Sequence, residues 1–305
     1  MIDEIEKPVV QSLKSVLKIS DLRRQFGKFT AVNGLDLDVK EGEIYGFLGV
    51  NGAGKTTTIR MIMGILGIDG GEIELFGESH RRTTITQKQR IGFVSQEQNI
   101  YPWMSAKVVG KFVAGLYPDW DQQEYLRLLD IFEIPLDRKF SELSGGMKMK
   151  LALALAVAPN PKILILDEPT AGMDPVARRE FLHIIKRQSR HSGRTVFFSS
   201  HLLDEVEYIA DRVGIIHKGQ KKFEGELTHL QERVRLVRAD ENFEVPEGFE
   251  LWSKDIDDSR AADSDELRYV LDAAPELWTT SGLDAERLSL NDIFIACVTI
   301  STLEL

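Results

Sequence analysis

Residues 49 to 56 read Gly-Val-Asn-Gly-Ala-Gly-Lys-Thr and fill the pattern GxxxxGK[ST] at every fixed position. Glycines at this spacing let a backbone curl until several N–H groups point inward. A helix starting there turns its positive end toward the same spot, so the segment suits phosphate. The chemistry implied is capture of a nucleoside triphosphate. Gly49, Asn51, Gly52, Ala53 and Gly54 would form the loop, and Lys55, Thr56 and Thr57 the helix start. Lys55 would reach the β and γ phosphates, with Thr56 on Mg2+.

A second segment, Ile163-Leu164-Ile165-Leu166-Asp167-Glu168, is an apolar strand ending in two carboxylates. Both emerge at the carboxyl edge of a sheet, where open α/β folds place their ligands. Asp167 could hold Mg2+ directly or through water, and Glu168 could take a proton from, or orient, a water attacking a γ-phosphate. Alone, such a pair reads equally well as a solvated strand end; beside a phosphate loop it points to hydrolysis. A third segment, Phe140 to Met147, carries Ser144 as an N-cap and Gly145-Gly146 at the opening of a helix rich in Lys, Leu and Ala. One helix start already serves the phosphates, so a second suits a different nucleotide, as in a head-to-tail dimer.

The elements that must position these groups are legible in outline. Strands are expected at Val16 to Ile19, Gly34 to Val39, Glu43 to Leu48, Glu72 to Phe76 and Ile91 to Ser95, giving a β-rich first hundred residues. From Ser105 to about Ala158 the period becomes helical. Val108, Phe112 and Leu116 share a face, and Asp121 with Glu124 is expected to form a capping box. Strands resume at Lys162 to Leu166, Thr195 to Ser199 and Val213 to His217. They alternate with helices after Asp174 and Leu202, which implies a largely parallel sheet covered by helices. Asp174 followed by Pro175 is itself a good N-cap and first helical residue.

Composition narrows the classes. The 305 residues suffice for one large α/β unit or a large and a small domain, and none of the apolar runs reaches the roughly 18 to 20 residues of a spanning helix. Met1 to Glu6 is acidic, without the basic and apolar regions of a secretion signal, and a lone Cys297 allows no internal disulfide; both favour the cytoplasm. Residues 1–230 carry 30 acidic and 31 basic side chains, residues 231–305 carry 18 and 7, and the total is −10. The shift places a domain boundary near Leu230, and an acidic last quarter argues against nucleic acid there.

The order of LSGG at Leu143 to Gly146, ILILDEPTAGMD at Ile163 to Asp174 and FFSSH at Phe197 to His201, behind the phosphate loop, resembles the nucleotide-binding domain of the ATP-binding cassette (ABC) transporter family. The resemblance covers about residues 16 to 228. It implies an α/β P-loop fold: a RecA-like core, a β-rich subdomain and an inserted α-helical subdomain at about 98–158. Residues 15–230 would form the cassette and 231–305 an acidic accessory domain.

By the same resemblance Phe26 would stack on the adenine of ATP. Gln96 would sense Mg2+ and the attacking water, His201 would contact the γ-phosphate, and Ala171 to Asp174 would signal across a dimer of cassettes. Met147 stands where the family usually has glutamine, Val108 where many members have glutamate, and Gly172-Met173 where Ala-Leu is more usual. None of these removes a catalytic group.

The segments from Val32 to Gly64, Tyr117 to Trp120 and Gly145 to Ala156 are most similar to the ATPases of bacterial exporters of drugs, peptides, lipids or polysaccharides, whose membrane-spanning subunits are separate chains. The resemblance thus implies two cassettes, identical or related, sandwiching two Mg-ATP at the cytoplasmic membrane face. A groove near Gln96 and Tyr101-Pro102-Trp103 would receive a helix of the permease. Leu288 to Phe294 also resembles the tail of such exporters, read as a packing cap in preference to a regulatory element. The competing reading is a soluble ABC ATPase of translation or DNA maintenance. It is disfavoured by the single cassette and by the absence of sustained heptads in the roughly ninety residues between the phosphate loop and LSGG.

Overall fold

The computed structural model describes residues 14–79, 84–256 and 267–299. The acidic segment Met1 to Glu6 lies outside them. β1 (Ser15–Phe26) and β2 (Phe29–Lys40) form an antiparallel hairpin that joins β4 (Gly70–Leu75) and the short β5 (Glu78–Ser79) in a sheet of order β2-β1-β4-β5. Both hairpin strands run 12 residues, well past the apolar stretches that mark them in the sequence. The register shifts between Ile19 and Leu22, with Asp21 at φ 47°, and this bulge lets the polar segment Arg23 to Gln25 keep pairing.

The central sheet has six strands. β3 (Ile44–Leu48), β6 (Ile91–Val94), β7 (Ile163–Asp167), β8 (Thr195–Ser200) and β9 (Arg212–His217) are parallel, and β10 (Gln220–Glu226) closes one edge antiparallel, in the order β10-β9-β3-β8-β7-β6. Buried on both sides, its strands are almost wholly apolar, and the two-residue period divides them between two cores. Tyr45, Phe47, Ile163, Ile165 and Phe197 face the β-rich sheet and α1 (Lys55–Ile62). Ile44, Leu48, Leu164, Leu166, Val196 and Phe198 join the core that takes in the helices.

Those helices are α3 (Ala106–Ala114), α4 (Gln122–Ile131) and α5 (Gly145–Val157), inserted between β6 and β7. They are followed by α6 (Pro175–Ser192) and α7 (Leu203–Ile209); a five-residue α2 (Ile85–Gln89) precedes β6. The expected box at Asp121 is only half made. Asp121 caps α4 by accepting from the N–H groups of Gln123 and Glu124. Its own N–H goes to Ala158 O at 2.7 Å, and the Glu124 carboxylate is taken by Arg127 and Gln188. The reciprocal bond loses to stronger partners. Val108, Phe112 and Leu116 do share a face of α3 or its C-terminal end, and all three are exposed.

After α8 (Leu227–Arg233) a third, antiparallel sheet forms from β11 (Val234–Ala239), β12 (Glu250–Ile256), β13 (Leu267–Asp272) and β14 (Ala285–Arg287), ordered β12-β13-β11-β14. One face packs with Trp278 of α9 (Pro275–Thr280) into a small core of its own. The other, through Leu236, Trp252 and Val270, meets α10 (Leu290–Thr299), whose Leu290, Ile293, Phe294, Ala296 and Cys297 belong to the same core as α5 and β7. Arg233 grips Asp272 through two bonds of 2.8 Å, fixing the end of α8 to β13. Truncating Phe294 to alanine therefore should destabilise the molecule well beyond its last helix, by about 3 kcal/mol. A thermal midpoint unchanged in differential scanning fluorimetry would contradict this.

Candidate functional site

The site is built where β3 and β7 end. β3 hands the chain to the loop 49–54, and α1 starts at Lys55 with Gly54 as N-cap at φ 110°, a left-handed conformation that side chains rarely take. The loop has no room for Cβ atoms at its two ends: one on Gly49 would stand 2.6 Å from Ile216 O, and one on Gly54 2.6 Å from Ala31 O. Gly54→Ala is accordingly expected to distort the loop and weaken nucleotide binding at least 10-fold, read by equilibrium binding of a fluorescent ATP analogue.

Lys55 is buried, and its ammonium donates to Gly49 O at 2.7 Å and Val50 O at 3.2 Å, with Glu168 Oε1 3.1 Å away. Glu168 is the point of convergence. Its Oε2 accepts from Gln96 Nε2 at 3.5 Å and lies 3.3 Å from His201 Nδ1, so groups distant in sequence meet on one carboxylate. Glu168 takes φ 45°, uncommon for a residue with a side chain, as β7 turns sharply out of the sheet.

Asp167, just behind, accepts from Thr56 Oγ1 at 3.2 Å and from Ser199 Oγ at 2.8 Å, and the Ser199 hydroxyl in turn accepts the Glu168 N–H at 2.9 Å. Burial raises the Asp167 pKa above the usual carboxylate range, against the lowering effect of the two hydroxyl donors. The stability this group adds is therefore present at low pH and is lost as pH rises through its raised folded-state pKa; at neutral pH its ionised form weakens the nucleotide-free fold. Asparagine can accept both hydroxyls at one oxygen. Asp167→Asn should therefore raise the thermal midpoint without nucleotide by roughly 2 °C, the scale of 1 kcal/mol in a chain of this size, while turnover falls. A lowered midpoint would refute it.

Asn51, Gly52, Gly54, Lys55, Thr56, Thr57, Gln96 and Glu168 line one open cleft of about 380 Å3 together with Phe29 and Ala31. Gly49 and the buried Ala53 belong to its frame. Phe26 is placed on the hairpin turn opposite Phe29, with the Arg24 guanidinium 4.8 Å above its ring; Phe29, exposed, is the aromatic on the cleft wall.

Ser144, Gly145, Gly146 and Asp174 do not line this cleft. Ser144 caps α5 by accepting the Met147 N–H at 3.2 Å, and a Cβ on Gly145 would meet nothing within 4 Å, so this helix start faces open space. Met147 turns partly into the helical core. Asp174 caps α6, its carboxyl held below the usual range by the backbone N–H groups of Ala177 and Val176. Ser95, Gln98, Asn99 and Ile100 line a second cleft of about 460 Å3, which is not lined by Gln96, Tyr101, Pro102 or Trp103 themselves; Tyr101 and Trp103 stack, exposed, with centroids 5.9 Å apart. Sequence reasoning missed Ser199 and Phe29. The FFSS run locates Ser199, but nothing local to it shows that β7 and β8 pair Asp167 with Ser199.

A glycine cradle, a buried lysine, an oxygen set at Thr56 and Asp167, and a carboxylate poised at the strand end define a P-loop nucleoside triphosphatase. The ABC transporter family profile matches residues 32–171. Over 226 residues the chain is 36% identical to the bacitracin transport ATP-binding protein BcrA of Bacillus licheniformis, covering 73% of this chain and 74% of that one. It is 37% identical to the linearmycin resistance ATP-binding protein LnrL of Bacillus subtilis (strain 168), covering 72% of each. A solved ATP-binding subunit of an ABC transporter superposes with a TM-score of 0.65 at 27% identity, covering 71% of this chain and 92% of that chain. The chain belongs to the ATP-binding proteins of ABC transporters. It is an ATP-hydrolysing subunit of exporter type. An uncharacterized ABC transporter ATP-binding protein of Bacillus subtilis, YhaQ, is 31% identical over 92% of this chain and 97% of its own, a span that reaches into the third sheet.

Proposed function

We propose that two cassettes of this kind close on two Mg-ATP at the cytoplasmic face of a membrane and drive export through separate membrane-spanning subunits. The observation that carries this reading is the meeting of Lys55, Gln96 and His201 on Glu168 beside the phosphate loop. In the reading, residues 15–230 form the cassette, with a helical subdomain at about 98–158, and 231–305 an accessory domain.

The loop N–H groups and Lys55 bind the phosphates, and Lys55 shifts from Glu168 to do so. Thr56 and Asp167, with Gln96, would hold Mg2+; these hard oxygen donors fit its preference for carboxylate plus substrate phosphates. The metal supplies charge neutralisation at the transferring phosphoryl group. Glu168 takes the proton of the attacking water, and His201 steadies the γ-phosphate side. Phe26 or Phe29 supplies the aromatic face for the base.

Ser144, Gly145, Gly146 and Asp174 serve the nucleotide of the second copy, which explains why they lie off the cleft of their own chain. ATP held by both chains favours the closed pair, and hydrolysis releases it, giving the permease a two-state input. The second cleft beside Gln96 supports the proposed seat for a permease helix. No helix among the described residues is long and apolar enough to cross a membrane. The names of two relatives, one of bacitracin transport and one of linearmycin resistance, suggest a cargo of that kind.

The reading is tested by affinity purification of the tagged Glu168→Gln chain from detergent-solubilised membranes with Mg-ATP, partners being identified by mass spectrometry. A stoichiometric polytopic partner is expected. Recovery as a soluble dimer alone, or with ribosomes or DNA, would shift the role to translation or DNA maintenance.

A further inference from the structure

Behind the cleft lies another buried carboxylate, one that the hydrolytic steps above do not use. Glu205, only 1% exposed, sits in the first turn of α7. Its Oε2 accepts from Ser200 Oγ at 2.7 Å, its Oε1 accepts from the hydroxyl of Thr170, and Arg178 Nε stands 3.5 Å from Oε1. The partners come from three pieces of the site. Ser200 ends β8 and immediately precedes His201. Thr170 lies two residues beyond Glu168, and its carbonyl accepts the Met173 N–H at 3.1 Å in the turn that leads to Asp174. Arg178 is on α6; its contact with Glu205 is one of charge without a hydrogen bond from Nε, and its Nη2 donates to Met173 O at 3.5 Å.

We propose that Glu205 is a positioning residue that holds His201 against Glu168 and locks that placement to the loop ending at Asp174, so that the loop and His201 shift together. A buried carboxylate must keep its donors, because each one lost leaves charge uncompensated in a medium that solvates it poorly. Two hydroxyls hydrogen-bonded to one such group, with a guanidinium ion-paired to it, are therefore constrained to move as a set. If the loop responds to the second cassette, the response reaches His201 through one side chain rather than through the sheet. This rests on the roles proposed above for His201 and Asp174.

The test is a double-mutant cycle in single-turnover hydrolysis with excess enzyme, using Glu205→Gln, His201→Ala and the pair. Glu205→Gln should lose about 10- to 100-fold in rate, the scale of a misplacement of about 1 Å at a reacting centre, with ATP affinity changed less than about threefold. In the His201→Ala background it should add less than about twofold, because both changes remove one function.

Ser200→Ala, a smaller change that removes the hydroxyl's bonds to Glu205 and Leu202 beside His201 and leaves the Thr170 and Arg178 contacts of Glu205 in place, should repeat the pattern and guards against a fold lost with Glu205. Losses that multiply in the double variant overturn the proposal, as does a fall in affinity matching the fall in rate. Wild-type turnover in His201→Ala also overturns it and removes the role assigned to His201 as well, whereas multiplying losses leave that role standing.

Discussion

Glu168→Gln is expected to lower steady-state ATP turnover about 1000-fold while leaving ATP bound. Glutamine keeps the length and shape of the side chain. It can still accept from Lys55, whose ammonium lies 3.1 Å from Oε1, and the phosphates of bound ATP take the place of the lost carboxylate as the counter-charge. What it loses is the capacity to take a proton from water, and positioned general bases supply about 100- to 10,000-fold. The substitution also removes the anion competing with phosphate for Lys55, so affinity for ATP holds or rises. An ATP-dependent dimer should accumulate on size-exclusion chromatography with Mg-ATP. Turnover within tenfold of the wild type would show that another group deprotonates the water.

Lys55→Ala should abolish the same activity by a different route, through loss of binding. The ammonium bridges the two arms of the site, donating to Gly49 O and Val50 O on the loop and pairing with Glu168 just past β7. Removing it leaves Glu168 buried with only Gln96 and His201 and takes a donor from two loop carbonyls, so the loop slackens before any nucleotide arrives. Affinity for Mg-ATP by isothermal titration should fall at least 100-fold, about 2.7 kcal/mol, and the thermal midpoint should no longer rise with ATP. Affinity within threefold of the wild type would mean that the backbone N–H groups alone hold the phosphates.

The two variants separate because the parts of the site were legible to different degrees. The phosphate loop and the Asp167-Glu168 strand end could be read from residue types, since their chemistry is local: glycine spacing, an apolar strand, a helix start. The convergence on Glu168 could not. Gln96 and His201 lie 72 and 33 positions away along the chain. A lone glutamine or histidine at a strand end has no signature, so their assignment came from family resemblance alone.

Tertiary competition explains the other differences. Glu124 had the right spacing for a capping box but found Arg127 and Gln188 instead. Ser199 became part of the site through the register of β7 against β8, which no periodicity reveals. Beyond His217 the sequence reading placed no strands, because those that follow mix charged residues with apolar ones and lack the continuous apolar runs of the central sheet. The charge shift near Leu230 was visible, and Leu288 to Phe294 reads as a packing cap, but its residue types do not say which core α10 joins.

That packing orders events in time as well as in space. A chain leaves the ribosome from its N-terminus at about 5 to 20 residues per second, and domains made of early residues start folding while later ones are still being added. Here the apolar surface of α7 waits for β12 and for α10, the last of the described elements to be made. For the several seconds of synthesis after β8, a nearly finished cassette displays part of its interior, so the newborn chain depends on chaperones more than its local loop-and-helix order would suggest.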